Sequence, residues 1–155
     1  MKLTHVFKTL LAFVFALVFA AAPALAAFQF SDATRNAALD AIETTIGTAP
    51  TLEIRSGAAP ANCATADSGT VLVTMTLPSD WMAAASAGSK AKLGTWQDAS
   101  ADATGTAGHF RIKAGATCHI QGSVTATGGG GDIQLQNTSI ATGQAVTITS
   151  FTISN

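Results

Sequence analysis

The spacing of hydrophobic positions changes near residue 50 and divides the chain into a helical part and an extended part. In SDATRNAALDAIETTIG, Ala38, Leu39, Ile42 and Ile46 fall on one helical stripe, while Asn36, Asp40 and Thr44 face elsewhere and Glu43 borders it. Arg35 also lies on the stripe, but in the first turn, where its long side chain reaches water. Ser31 or Asp32 supplies an N-cap and Gly47 a stop. This predicts one short amphipathic helix lying on a larger body.

After Pro50 the period becomes two. TLEIRSG places Leu52 and Ile54 on one side with Glu53 and Arg55 on the other, and GTVLVTMTLP alternates Val71, Val73, Met75 and Leu77 against Leu72, Thr74 and Thr76. Both read as strands. HFRIKAGATCHIQGSVTAT reads as a hairpin turning at Ala114, Gly115 and Ala116, with Phe110 and Ile112 on the apolar face of its first strand. On regular alternation Cys118, Ile120 and Val124 then face the core, while His119, Gln121 and Ser123 face out.

DIQLQ and QAVTITSFTIS follow as further strands. In the second, the apolar phase moves from Val146 and Ile148 to Phe151 and Ile153, which predicts a β-bulge near Ser150. Between Leu77 and His109 the pattern weakens to two short strands with loose connections, holding both tryptophans. The sum is about seven to nine short strands with frequent turn signals, a mainly β chain. The expected fold is an antiparallel β-sandwich or jelly-roll-like domain over residues 27–155, with one short N-terminal helix.

The N-terminus alters how composition is read. MKLTHVFKTLLAFVFALVFAAAPALAAF carries Lys2 and Lys8, an apolar run, Pro23, and Ala24 and Ala26 at A-x-A spacing. Residues 1–26 therefore read as a secretory signal peptide cleaved after Ala26. The competing reading is an uncleaved anchor, because the apolar run approaches the roughly 20 residues that span a bilayer; Pro23 and the A-x-A pattern favour cleavage. Without residues 1–26 the chain keeps six basic and nine acidic residues and only four of its eight phenylalanines. Nothing in it resembles the basic patch and stacking aromatics of a nucleic-acid binder.

Two cysteines remain, Cys63 and Cys118. In an exported chain they are disulfide candidates, and closing a loop of about 55 residues would contribute about 4 kcal/mol in the chain-entropy model. The alternative is a pair of buried thiols. Motifs for chemistry are weak. Cys118 and His119 are adjacent on a strand and suit no shared metal, and too few ligands stand at useful spacing elsewhere. The four glycines at 128–131 lack the Gly-Lys-Ser/Thr that would make a phosphate loop, and read as a flexible loop at a sheet edge. No G-x-S-x-G elbow is present, and His109 has only Asp98 and Asp102 as conceivable partners. No catalytic residue, metal or cofactor is expected. Trp81 and Trp96 read either as core anchors or as a stacking platform for sugars.

From Phe30 onward the chain resembles small structural proteins of tailed bacteriophages and prophages. The resemblance lies in SDATRNAALDAIETTIG, LEIRSGAAPANC, LPSDWMAAASAGSKAKLGTWQDASADATGTAGHFRI and NTSIATGQAVTITSFTIS. It implies a non-enzymatic head or tail component of a virion, partnered by itself or by other virion proteins, with no catalytic residues to carry over. The leader departs from that pattern, since virion proteins assemble in the cytoplasm, and it leaves export to the periplasm, cell surface or medium as the other location. An exported binder of a glycan or a surface protein, using Trp81 and Trp96, is the alternative function. The segments DIQLQNTSIATG and QAVTITSFTISN hold a single charged side chain, Asp132, so if these strands lie at a sheet edge Thr147 and Thr149 face away from the core on a surface for self-association; the alternative is that both are interior strands covered within the monomer.

Overall fold

A computed structural model describes residues 28–155; the leader expected at residues 1–26 lies outside them. Helix α1, Asp32–Ile46, opens with the Ser31 side chain accepting from the Thr34 N–H and closes on Gly47, at φ 86°. Leu39 and Ile46 are buried and Ile42 is half-buried, but Ala38 is exposed. The helix is held as much by its polar face. Asn36, Asp40 and Glu43 accept the backbone N–H groups of Gly88, Ala85 and Met82 at 2.9, 3.0 and 3.1 Å. The stripe that faces the protein is thus rotated toward residues expected in solvent, because backbone N–H groups without a ladder partner need acceptors.

Ten strands follow: β1 Thr51–Ser56, β2 Val71–Thr76, β3 Ser89–Ala91, β4 Trp96–Asp98, β5 Gly105–Ala114, β6 Thr117–Ala126, β7 Ile133–Leu135, β8 Ser139–Ile140, β9 Val146–Ile148 and β10 Thr152–Ser154. The main sheet runs β2-β1-β5-β6-β7, with β8 paired to β5, and two ribbons, β3 with β10 and β4 with β9, lie off it. Among the described residues the result is a mainly β, sandwich-like fold with one helix. β4 packs beside β2 and β9 beside β7, so the β4–β9 ribbon reaches from one edge of the main sheet to the other.

Three features depart from the sequence pattern. At Ser150 the chain makes no bulge but changes partners, since β9 pairs with β4 and β10 with β3; this shifts the apolar phase between Ile148 and Phe151. The β5–β6 hairpin turns at Gly115 as expected, yet Ile112 pairs with Ile120 and Lys113 with Cys118, leaving His119 as the extra residue of a bulge. That one residue reverses two side chains: Cys118 joins the face of Lys113, and His119 turns toward Ala38, Ala41 and Ile42 of α1. Finally, β7 lies parallel to β6, not antiparallel. Parallel neighbours usually need a dozen or more connecting residues. The glycines at 128–131 make the return in fewer, with positive φ at Gly128 and Gly130, and Cβ atoms added at Gly129 or Gly131 would lie 2.8 Å from the Thr125 side chain.

One contiguous core lies between the sheet, the ribbons and the helix. Its centre is aromatic: Trp81 to Trp96, Trp96 to Phe151 and Phe151 to Phe110 have ring centroids 6.0, 5.4 and 5.7 Å apart.

Candidate functional site

Both tryptophans are fully buried. Each indole N–H donates to a loop carbonyl, Trp81 to Gly47 at 3.1 Å and Trp96 to Leu93 at 3.0 Å, which lets so large an apolar ring enter the core without leaving a donor unpaired. They are core anchors, and the interaction surface expected at Trp81 and Trp96 is corrected accordingly: neither ring is available to stack on a sugar.

Cys63 and Cys118 are disulfide-bonded. The bond fastens the loop at 57–70 across the outer face of β1, β5 and β6, where the strand pattern predicted solvent. Under this loop lie Arg55, His109, Arg111 and Lys113, all buried. Arg111 donates to the carbonyls of Asn62, Cys63 and Thr65, at 3.0, 3.1 and 3.0 Å, to Gln121, and to the Asp67 carboxylate. Asp67 also pairs with Lys113 at 2.6 Å and Arg55 at 3.1 Å, and Glu53 with Arg55 at 2.8 Å. The hydrogen bond from Lys113, helped by those from Arg111 and the charge of Arg55, holds the Asp67 carboxyl down at about 2 against its burial.

His109 donates from Nδ1 to the Gly57 carbonyl, 3.0 Å away, and its Nε2 meets no partner. Asp98 and Asp102 are engaged by Thr74 instead: Asp98 accepts its N–H at 3.2 Å and Asp102 its hydroxyl at 2.7 Å. The residues considered for base chemistry therefore belong to separate structural networks. Gly108 explains how the loop lies so close to β5: a Cβ there would stand 2.1 Å from the Gly57 carbonyl oxygen. Among the described residues, no group of three or more His, Cys, Asp or Glu side chains is placed to hold a metal ion.

A second ion cluster ties α1 down. Lys90, 3% exposed, reaches Asp40 at 2.7 Å and Glu43 at 2.9 Å. Burial alone would lower the Lys90 pKa; the two carboxylates outweigh it and raise it.

Thr147 and Thr149 are exposed, as their alternation with buried Val146 and Ile148 requires. They line a groove of about 460 Å³ between β7 and β9, with Thr127, Gln134, Gln136 and Gln144 among its other walls and Leu135 and Val146 as its apolar part. No charged residue lines it. At the opposite seam, β2 is joined to β4 by the Thr74 N–H on Asp98, and to the segment after β4 by the Thr74 hydroxyl on Asp102 and the Asp102 N–H donating to the Leu72 carbonyl at 2.8 Å. Among the described residues no hydrogen bond joins 133–137 to 144–149. β7 and β9 each have one paired neighbour, β6 and β4, and their facing edges stay unpaired. Amides, hydroxyls and two free strand edges make this groove suited to an uncharged polar ligand or an extended peptide. The electrostatic signal for it was present in the sequence, as the charge-poor run after Asp132; its partner strand was not. No family model, curated protein or solved structure matches this chain.

Proposed function

We propose that this protein is a non-enzymatic structural subunit of a phage or prophage-derived particle, a head or tail component acting by self-assembly or by attachment to a larger particle. The observation that carries this reading is the uncharged groove between β7 and β9, flanked by exposed Thr147 and Thr149. Edges left unpaired and uncharged favour pairing with another chain. The resemblance of the chain from Phe30 onward supports it, and the Cys63–Cys118 bond suits a particle surface or an exported protein, where disulfides persist.

The test is the gene's setting together with the protein's state in solution. Capsid, portal or tail genes beside the coding sequence, and concentration-dependent assembly of the purified protein, are the expected results. Secretion or adhesion genes in that place, with specific retention of a neutral glycan, would instead establish an exported surface binder. That reading has lost the two tryptophans that were to serve as its platform.

A further inference from the structure

We infer that the outer face of β1, β5 and β6 is a binding site for a small oxyanion, sulfate or phosphate, which the chain's own Asp67 occupies and the Cys63–Cys118 bond keeps shut. The inference is independent of the structural-subunit reading. Three cations converge on the Asp67 carboxylate: Arg111 on Oδ1, and Lys113 and Arg55 on Oδ2 at 2.6 and 3.1 Å. All three belong to the strands, whereas Asp67 belongs to the loop at 57–70. With the loop lifted, the face keeps these cations against one carboxylate, Glu53, which pairs with Arg55 and Lys113. Among the described residues Arg111 Nε, fully buried, meets no acceptor even under the loop. The face therefore holds a donor to spare.

The hydrogen bonds across this contact all run one way. Among the described residues, each bond between residues 58–69 and the strands has its donor on a strand and its acceptor in the loop: Arg55 donates to Ser68 and Gly69, Arg111 to Asn62, Cys63 and Thr65, and Gln121 to Pro60. A floor of donors and cations selects a ligand that only accepts, as sulfate and phosphate do, and guanidinium groups match their oxygens in pairs. Asp67 is the built-in substitute for such an ion.

The cover is made to lift as a unit. None of residues 57–70 is buried, so no apolar side chain anchors it. Its ends meet at a neck, where the Ser56 N–H donates to the Thr70 carbonyl at 3.0 Å and the Thr70 N–H to Ser56 Oγ at 2.9 Å. Gly57 and Gly69 stand at that neck with φ 76° and 69°. While the cystine stands, the contact is permanent. Both cysteines are only half-buried, so an external dithiol can reach them. Its thiolate attacks one sulfur and breaks the S–S bond; its second thiol then resolves the mixed disulfide. Two electrons and two protons pass to Cys63 and Cys118, and the dithiol leaves as its own disulfide.

Equilibrium dialysis of the full chain, as recovered from its producing cells, tests this with labelled sulfate and labelled phosphate, one ion at a time, in chloride at constant ionic strength. Protein reduced with a dithiol is expected to bind one of them at least about tenfold more tightly than the oxidised protein. Asp67→Ala with its cystine intact should bind at least about tenfold more tightly than the oxidised wild type, because the substitute carboxylate is gone. Adding Lys113→Gln to Asp67→Ala should reverse that gain. Far-ultraviolet circular dichroism checks that each protein remains folded; the reduced wild type carries no substitution and the Asp67 variant keeps its cystine, so either one decides if the other unfolds. Reduced protein that binds neither ion better than the oxidised form overturns the inference. So does a folded Asp67→Ala variant that gains no binding, or one whose binding survives Lys113→Gln, which places the ion elsewhere.

Discussion

The outer face of β1, β5 and β6 and the groove between β7 and β9 are both built on β-strands, yet one is sealed and the other open. The sealed face gathers Glu53, Arg55, Asp67, Arg111 and Lys113 under a loop that is also disulfide-bonded. The open groove has no charged lining residue at all. Residues 27–155 hold six basic and nine acidic side chains, so this partition is a sizeable share of their total. Charge here closes the molecule on itself, and its absence marks where the fold leaves strand edges for something else. Ion pairs under a cover are specific but expensive to desolvate, which suits a permanent internal contact; neutral amides and hydroxyls release water more readily.

The largest expected effect lies on the sealed face. Arg111→Met removes the donor shared by three loop carbonyls, Gln121 and Asp67, and should cost about 3 to 5 kcal/mol in urea unfolding, as for other broken buried ion networks. A loss below about 1 kcal/mol would mean that the loop is held by the disulfide alone, and the contrast between the two faces would then rest on one bond.

Replacing the cystine, Cys63→Ser with Cys118→Ser, is expected to cost about 2 to 4 kcal/mol. The native protein, denatured without reductant, should show no labelled thiol.

Asp67→Asn should cost less, about 1 to 2 kcal/mol at neutral pH, because its side chain is 29% exposed and water screens the pairing. Its carboxyl is held at about 2, below the ordinary 3.8. The native form therefore binds fewer protons than the unfolded chain in that interval. Its contribution is complete above pH 3.8 and disappears as the pH falls through about 2. Thermal unfolding of the wild type should weaken across that window, and that of the Asn variant should depend on pH less steeply.

The smallest stability effect is expected at the open groove. Thr147→Lys with Thr149→Lys should leave the unfolding free energy within about 0.5 kcal/mol of the wild type, since both side chains are exposed and no internal contact depends on them. A large destabilisation would show that this edge is part of the monomer's closure and would remove the contrast with the sealed face.

Local patterns in the sequence identified the helix with its Ser31 cap and Gly47 stop, the strands around Leu52, Val73, Phe110 and Ile148, the turn at Gly115, and the outward side of Thr147 and Thr149. These follow from spacing within one element, where period and turn chemistry act over a few residues. The face of Cys118 was not legible, because a single bulge residue, His119, inverts the alternation, and bulges leave little trace in side-chain pattern. The loop over β5 was equally hidden. Its cause is long-range: Arg111 meets Asp67 across 44 residues, and Gly108 makes room for Gly57.

By itself the sequence determined that this is a mainly β chain with one amphipathic helix, poor in charge toward its C-terminus, and with two cysteines available to pair. Only the tertiary structure decided that Trp81 and Trp96 are core anchors, that the charged faces of β1 and β5 are covered, that β7 runs parallel to β6, and that the seam between β7 and β9 stays open. Composition and periodicity report what each segment wants to bury. Which strand lies beside which depends on contacts between residues distant in the chain, and it is that choice of neighbours that leaves the facing edges of β7 and β9 unpaired.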